Sequence, residues 1–399
     1  MKKTIKLALT AALTLGATSA FATNGAALIG MGAEARGMAG TGIGIAHGAE
    51  SALTNPALIT SVEKTEISFG GTLFMPDVSN TQNLGGGDSS ADSAADMNVI
   101  PEISLATKIN DNFYIGIGMW GTGGMGIDYH DANSATDTQF QMVTNLQLMQ
   151  FGVPLTYTTN GFSVAVTPIL QYGSLDINYV NASGTVGAGV AQDLEFGYNL
   201  GLAYQMKGIT VGAIYKSRID MDYKNQLPDA MKGFNINYDN TKLSTPAEIG
   251  IGASYAFGEN TVALDYKQIK WSDAKGYQDF EWDDQDVISI GYEYKTDGWA
   301  ARVGYNYASS PISEQSQSYV NSAGISGGLI NTFNLLGFPG IVESHYAVGG
   351  SYDLNEQTSV DLAFTYAPEV TDTYKNYAGN DITTKHSQTG LSAQLNFNF

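Results

Sequence analysis

Along several short stretches of the chain, every second position is apolar. Ile209, Val211, Ala213 and Tyr215 are apolar or aromatic, while Thr210, Gly212, Lys216 and Arg218 are small or polar, with Ile214 the exception. Val262, Leu264 and Tyr266 alternate with Ala263, Asp265 and Lys267, and Leu391, Ala393, Leu395, Phe397 and Phe399 alternate with Ser392, Gln394, Asn396 and Asn398. A repeat of two residues marks a β-strand with one apolar and one polar face. The pattern predicts fourteen strands, at 65–76, 98–109, 112–121, 141–158, 162–175, 193–206, 209–222, 245–257, 260–271, 286–296, 299–308, 343–353, 358–368 and 388–399.

The connections between these strands carry as much information as the strands. Asn110-Asp111, Thr159-Asn160-Gly161, Lys207-Gly208, Gly258-Glu259, Thr296-Asp297-Gly298 and Leu354-Asn355-Glu356 are tight-turn sequences, rich in the residues that adopt the positive φ of hairpin turns. Between them lie long polar segments at 77–97, 122–140, 176–192, 223–244, 272–285, 309–342 and 369–387. Short periplasmic turns alternating with long outer loops are the pattern of an outer-membrane barrel. A soluble β-sandwich has many strands too, but does not sort its loops by length in this way. The fold class predicted is all-β, a 14-stranded antiparallel transmembrane β-barrel with both termini in the periplasm. The alternating last strand ends on Phe399, which resembles the signal read by the barrel-assembly machinery.

The first residues agree with that destination. Lys2, Lys3 and Lys6 precede a short apolar run, Leu7 to Ala17, and Ala20-Phe21-Ala22 supplies a small-x-small cleavage site. Residues 1–22 are therefore predicted to be a cleaved signal peptide, with Thr23 first in the mature chain. No later stretch approaches the roughly 20 apolar residues of a spanning helix. There is no cysteine, so disulfides, thiol catalysis and thiolate metal sites are excluded. The net charge is −20, which removes the basic footprint of a nucleic-acid binder. Charged residues make up only 15% of the chain, beside 47 glycines and 23 tyrosines, and such a composition suits strands with one lipid face and one wet face.

Residues 23–62 break the strand pattern. They are rich in Gly and Ala, yet hold Leu28, Ile29, Ile43, Ile45, Leu53, Leu58 and Ile59, too apolar for a solvated tail. A fourteen-stranded barrel is too wide for its own side chains to fill. Residues 23–62 are accordingly read as a hatch, or plug, inside the lumen of a barrel formed by 63–399.

Here the residues resemble a known family. Asn55-Pro56-Ala57-Leu58-Ile59-Thr60, followed by Phe69, Gly70 and Pro76-Asp77-Val78, is similar to the hatch-to-first-strand region of the outer-membrane long-chain fatty acid and aromatic hydrocarbon transporters, the OmpP1-like FadL/TodX family. Gly30-Met31-Gly32-Ala33-Glu34-Ala35-Arg36-Gly37-Met38-Ala39-Gly40 resembles that family's small-residue hatch opening, and Trp271-Ser272 and His345-Tyr346 match its habit. The resemblance is close only at 23–78 and 343–366. It implies passive uptake of hydrophobic small molecules: capture by outer loops, then lateral exit at a kink in strand three. It assigns hatch and gating roles to Thr23, Asn24, Gly25, Asn55, Pro56 and Ala57, with the Asn-Pro-Ala segment packed near the kink.

Strand three carries Gly116, Gly118, Gly121, Gly123 and Gly124, and glycine inside a strand marks a bulge or bend. An alternative is that these glycines only begin a loop. The run Ile325 to Val342 places Leu329, Ile330, Phe333, Leu335, Leu336 and Phe338 in an otherwise polar outer loop. Exposed apolar surface of this kind marks a binding site, and the run is read either as a hydrophobic ligand-binding groove or as packing over the barrel mouth. Strand parity directs Lys216, Arg218, Lys267 and Arg302 to the lumen, where one could contact a ligand carboxylate, or each could pair with a lumen acid such as Asp265.

Other chemistry is not indicated. Asp279, Glu281, Asp283, Asp284 and Asp286 lack the Gly-centred spacing of an EF-hand and suit a solvated face or divalent bridging to lipopolysaccharide. His47, His130, His345 and His386 are scattered, and no Gly-x-Ser-x-Gly elbow occurs. The chain is predicted to be no enzyme and to need no metal or cofactor. It is expected as a monomer in the outer membrane of a Gram-negative cell, among lipid and lipopolysaccharide. A general porin or a surface adhesin is the alternative. A porin needs no apolar plug, and an adhesin needs no glycine cluster in strand three.

Overall fold

A computed structural model describes residues 23–132, 137–187 and 189–399; the predicted signal peptide, 1–22, lies outside them. Fourteen strands form the wall: β1 Thr65–Asn83, β2 Asn98–Lys108, β3 Phe113–Asp128, β4 Val143–Gly152 resuming at Leu155–Thr159, β5 Phe162–Asn181, β6 Ala191–Met206 and β7 Ile209–Lys216. The rest are β8 Glu248–Phe257, β9 Asn260–Ile269, β10 Gln285–Thr296, β11 Trp299–Ala308, β12 Ser344–Asn355, β13 Thr358–Lys375 and β14 Asp381–Asn398. Each pairs antiparallel with the next, and β14 returns to β1 in a ladder from Ile382↔Gln82 to Asn398↔Glu66. Each wall strand is paired on both sides along at least part of its length, as a hydrocarbon surround demands.

The wall is inverted relative to a soluble protein. Leu194, Phe196, Tyr198, Leu200, Leu202 and Tyr204 of β6 face outwards, Phe196 being 78% exposed, while Arg302 of β11 is 4% exposed. Ser68, Thr72, Ser104, Thr167, Asp265, Asn306 and Gln394 are buried in the interior. Large apolar side chains meet lipid, and polar ones meet the lumen contents. Ile214, the exception to the alternation of β7, is buried.

The strands differ from prediction mainly at their outer ends. β1, β3, β5 and β13 run on to residues 83, 128, 181 and 375, and β14 begins at Asp381. In these extensions the inward positions stay buried but are often polar, such as Asn80, Gln82 and Thr384, so the apolar alternation fades while backbone pairing continues. The predicted strand 358–368 ends at Pro368, but the ladder shifts register between Ala367 and Val370 and resumes, so the proline sits in a bulge. β7 ends earlier than predicted, at Lys216; residues 219–222 pair instead with 242–245 in a separate small hairpin.

Residues 23–62 lie within the barrel as a two-residue-stranded hairpin, Thr23–Asn24 with Ala27–Leu28, followed by the short helical turns Ala33–Gly37, Gly48–Glu50, Ser51–Thr54 and Pro56–Ser61. Leu28, Ile29, Ile43, Ile45, Leu53, Leu58 and Ile59 are all buried, in agreement with the plug reading.

Candidate functional site

The site is where the hatch meets β3. From Phe113 to Met119 this strand alternates as a barrel strand should; from Trp120 to Ile127 every residue is buried. The strand has left the lipid surface and is covered on both faces. Its ladder with β4 shifts register between Gly121 and Gly123, leaving Thr122 as a bulge. Its ladder with β2 ends at Glu102↔Trp120. Above that rung the hatch takes the vacated edge: Ala27 pairs with Gly123, and the Gly124 N–H donates to the Ala26 carbonyl at 3.0 Å.

Glycine is required there by proximity. A Cβ on Gly123 would lie 2.5 Å from the Ala26 oxygen, and one on Gly121 would lie 2.6 Å from Ile100 Cγ2. Gly116 and Gly118 are not part of the bend. They pair regularly with Ala106 and Ser104, and their missing side chains make room for Pro154 and the Trp120 ring. The alternative that these glycines only open a loop is thereby corrected, since β3 continues to Asp128.

The hatch hairpin turns at Gly25, φ +64°, where a Cβ would meet the Trp271 and Trp282 rings at 3.0 and 3.1 Å. Trp271, Tyr277 and Trp282 form a contiguous aromatic cluster with centroids 4.6–5.1 Å apart. The Thr23 N–H donates to Gln388 Oε1 at 3.1 Å, and Asn24 is fully buried. Asn55-Pro56-Ala57 lies away from this hairpin. The Asn55 amide donates to the carbonyls of Ile43 and Leu202, at 2.8 and 3.0 Å, and Thr156 donates to the Pro56 carbonyl at 2.8 Å. That segment therefore seats the hatch on β4 and β6, while Ala26 and Ala27 meet the bulge.

Three further anchors were not expected. Arg36 makes a two-pronged ion pair with Glu102, at 2.7 and 2.5 Å, on the rung where β2 and β3 part. Asp265 accepts three backbone N–H groups of the hatch, from Gly42, Ile43 and Gly44, at 2.7, 2.8 and 3.2 Å. Glu34 meets Arg302 at 2.9 Å. No sequence signal joins these residues, because each pair is separated by dozens to hundreds of positions.

A cavity beside the bulge is lined by Ala26, Met31, Thr122, Lys216, Glu248 and Trp271, among others, with about 30 Å³ of free space, enough for roughly two waters. Lys216 and Lys267 both reach Glu248 at 3.3 Å. Arg302 is shared by Glu34 and Glu293. Arg218 is not in the lumen: it lies past the end of β7, partly exposed, beside Asp220 at 2.8 Å. The four basic candidates thus all have acidic partners, though Asp265 is not one of them.

The run 325–342 corrects another expectation. Leu329, Ile330, Phe333, Leu335 and Leu336 are buried, and Phe338 is partly so. A helix, Gly327–Thr332, widens into a π-turn over Phe333–Gly337. Its carbonyls are held from the wall: Thr384 donates to Leu335 and Thr144 to Gly337, both at 2.6 Å. The segment is an apolar lid packed into the barrel mouth, not an exposed groove. The acidic loop is likewise occupied internally: Asp279 accepts from Tyr238, Glu281 from Tyr319, Asp284 from Lys270 and Asp286 from Tyr266.

In the hatch, burial opposes ionisation of Glu34, but Arg302 and His47 outweigh it and hold the carboxyl well below its usual range. Burial pushes Glu50 up to about 8, reinforced by neighbouring carboxylates. Burial disfavours the charged form of His47, yet Glu34 and Glu50 raise its pKa above the usual value.

Residues 10–320 match the sequence profile of the outer membrane protein transport protein family, OMPP1/FadL/TodX. The chain is 25% identical over 395 residues to the long-chain fatty acid transport protein of Escherichia coli O6:H1 (strain CFT073), covering 82% of this chain and 84% of that one. It is 24% identical to the 47 kDa outer membrane protein of Pasteurella multocida (strain Pm70), over 90% and 92% of the two chains. Among solved structures, a Pseudomonas aeruginosa FadL homologue superposes with TM-score 0.72 at 15% identity, covering 94% of this chain and all of that one. The P. putida toluene transporter TodX gives 0.68 at 18% identity, covering 93% and 99%.

Proposed function

We infer that this chain, which belongs to the OMPP1/FadL/TodX family of outer membrane transport proteins, passes long-chain fatty acids or aromatic hydrocarbons inward without an energy source and releases them sideways at β3. Each methylene moved out of water gains roughly 0.8 kcal/mol. A water-filled pore therefore carries oily molecules poorly, whereas a series of weak apolar sites carries them well. Lipopolysaccharide blocks the direct route through the outer leaflet.

One observation carries the reading. The β2–β3 seam loses its backbone ladder above Glu102↔Trp120, and what fills the edge is not a wall strand but the hatch residues Ala26 and Ala27. Hydrogen bonds from a hairpin with strands of two residues are easily exchanged compared with those of a full strand. With the hairpin in place, the adjoining cavity holds only a few waters; withdrawing it joins the lumen to the bilayer through the side wall. Leu148, Trp271 and Met31 give that route apolar walls. Lys216 and Lys267 share a single Glu248, which leaves one positive charge to meet a carboxylate and favours the fatty acid over the uncharged hydrocarbon.

The test is uptake of labelled oleate and toluene by cells lacking their own transporters and carrying this chain, intact or without residues 24–45. Uptake by the intact protein above the empty-vector control, oleate exceeding toluene, is expected. Equal uptake with the empty vector rejects transport, and small-sugar permeation by the intact barrel favours a porin.

A further inference from the structure

The hatch holds a cluster that passage of a hydrophobic molecule does not use. Glu34 lies in the helical turn Ala33–Gly37; His47 precedes, and Glu50 ends, the turn Gly48–Glu50. One ligand atom from each of the three lies within 4.8 Å of the others. His47 and Glu50 are buried, and Glu34 keeps 19% of its side chain exposed.

The hydrogen bonds of His47 place an unusual demand on this cluster. Its Nε2 lies 2.8 Å from the Thr41 carbonyl. A carbonyl only accepts, so Nε2 carries the hydrogen. A neutral imidazole has one N–H, and its other nitrogen is an acceptor. That nitrogen, Nδ1, faces Glu34 Oε2 at 3.3 Å. Two acceptors opposed in a buried site repel one another unless a positive species lies between them. Either a second proton on the ring or a cation bound to both atoms meets that demand. The separation suits the cation: two ligands about 2.0 Å from a tetrahedral ion lie roughly 3.3 Å apart.

The surroundings offer a cation several further oxygen ligands. The other Glu34 oxygen meets Arg302, which also serves Glu293. Among the described residues Glu50 makes no ion pair with a Lys or Arg; its oxygens accept from the Ala35 N–H at 3.0 Å and Gln394 Nε2 at 2.8 Å. Asp361 accepts from Asn396 and Gln394, and Glu66 from the Ala49 N–H. Five carboxyl groups thus stand near two cations, Arg302 and Lys295. A polar cavity lined by Glu34, His47, Glu66 and Lys295 opens at the short-turn end of the barrel, giving an ion access from the periplasm.

We propose that Glu34, His47 and Glu50 bind one divalent transition-metal ion of the zinc class, which clips the turn 33–37 to the turn 48–50 and stiffens the hatch from its periplasmic side. One imidazole with carboxylates suits zinc and its neighbours; calcium and magnesium prefer all-oxygen sites. Because Glu34 also holds Arg302 of β11, the ion is linked to the wall through one ion pair. Binding needs Nδ1 and both carboxylates free of protons, so protons leave as the metal enters.

The test is calorimetric titration of the intact barrel, in detergent and stripped with EDTA, with zinc, calcium and magnesium chlorides. One zinc per chain is expected, with proton release read from the dependence of the heat on the buffer's ionisation enthalpy. Calcium and magnesium are expected to give no binding at the same concentrations. His47→Gln is expected to weaken zinc at least tenfold, while His130→Gln, at the exposed His130–Asp128–Asp131 group, leaves it unchanged. Heat-modifiable gel migration checks folding, and Glu50→Gln provides the same comparison if His47→Gln does not fold. Absence of stoichiometric zinc binding, or zinc binding that follows His130 rather than His47, overturns the proposal and leaves the proton as the occupant.

Discussion

At the scale of single residues, the hatch is held by a few buried charges. Arg302, with 1% of its side chain exposed, faces Glu34 and Glu293. Removing one member of a buried ionic group strands the others in a medium of low polarity. Arg302→Met is expected to lower stability by about 3 kcal/mol or more, measured by urea unfolding in lipid vesicles; a change within about 0.5 kcal/mol would show the group to be solvated. Glu50 gives a pH dependence. Its folded pKa of about 8 lies above the usual 4.5. The unfolded chain therefore loses its proton first, and the linked stability is complete below pH 4.5 and lost as pH rises through about 8. In the presence of EDTA, the urea midpoint is expected to fall between pH 5 and pH 9. Glu50→Gln is expected to flatten that fall, and an unchanged pH profile in this variant would exclude Glu50 as its source. Glu34, held low, works in the opposite direction and weakens the fold only in acid.

At the scale of elements, β3 shows what a sequence pattern can and cannot give. Its glycines marked a bend in the right strand, because a missing side chain is a local fact visible at each position. The bend itself covers only Gly121 to Gly123, and nothing local separates those glycines from Gly116 and Gly118, which lie in regular wall. The distinction comes from what stands opposite: Ala26 in one case, Pro154 and Trp120 in the other. Gly123→Val tests the contact directly. Its Cβ would lie 2.5 Å from the Ala26 oxygen, so the hairpin is expected to leave the seam and single-channel conductance in planar bilayers to rise. A folded variant that conducts no better than the parent would mean that the hairpin does not close this route.

At the scale of the whole molecule, the lumen is closed twice, by the hatch below and by the lid 325–342 above. Both use the same logic: apolar side chains packed inward and carbonyls received by polar groups of the wall. Phe333 and Leu336 are buried in that lid. Their replacement by Asp therefore buries charge, and unfolding of the lid is expected, seen as faster proteolysis of loop 309–343 in a barrel that still migrates as folded. Unchanged proteolysis would indicate that the lid packs more loosely than its burial implies.

The sequence by itself determined the barrel, its strand number, its tight turns and the presence of an apolar plug. Each is written in a repeat of two, a loop length or a local composition, and such signals need no knowledge of distant residues. The outer ends of the strands were less legible, since hydrogen-bonded strands continue past the bilayer without an apolar face to mark them. The tertiary structure alone decided which glycines bend β3, that Ala26 and Ala27 fill its free edge, that Arg36 meets Glu102 and Asp265 cradles the hatch, and that the lid faces inward. Those outcomes are pairings between positions far apart in the chain. A closed wall fixes which residues meet across its lumen, and that geometry exists only once β14 has found β1.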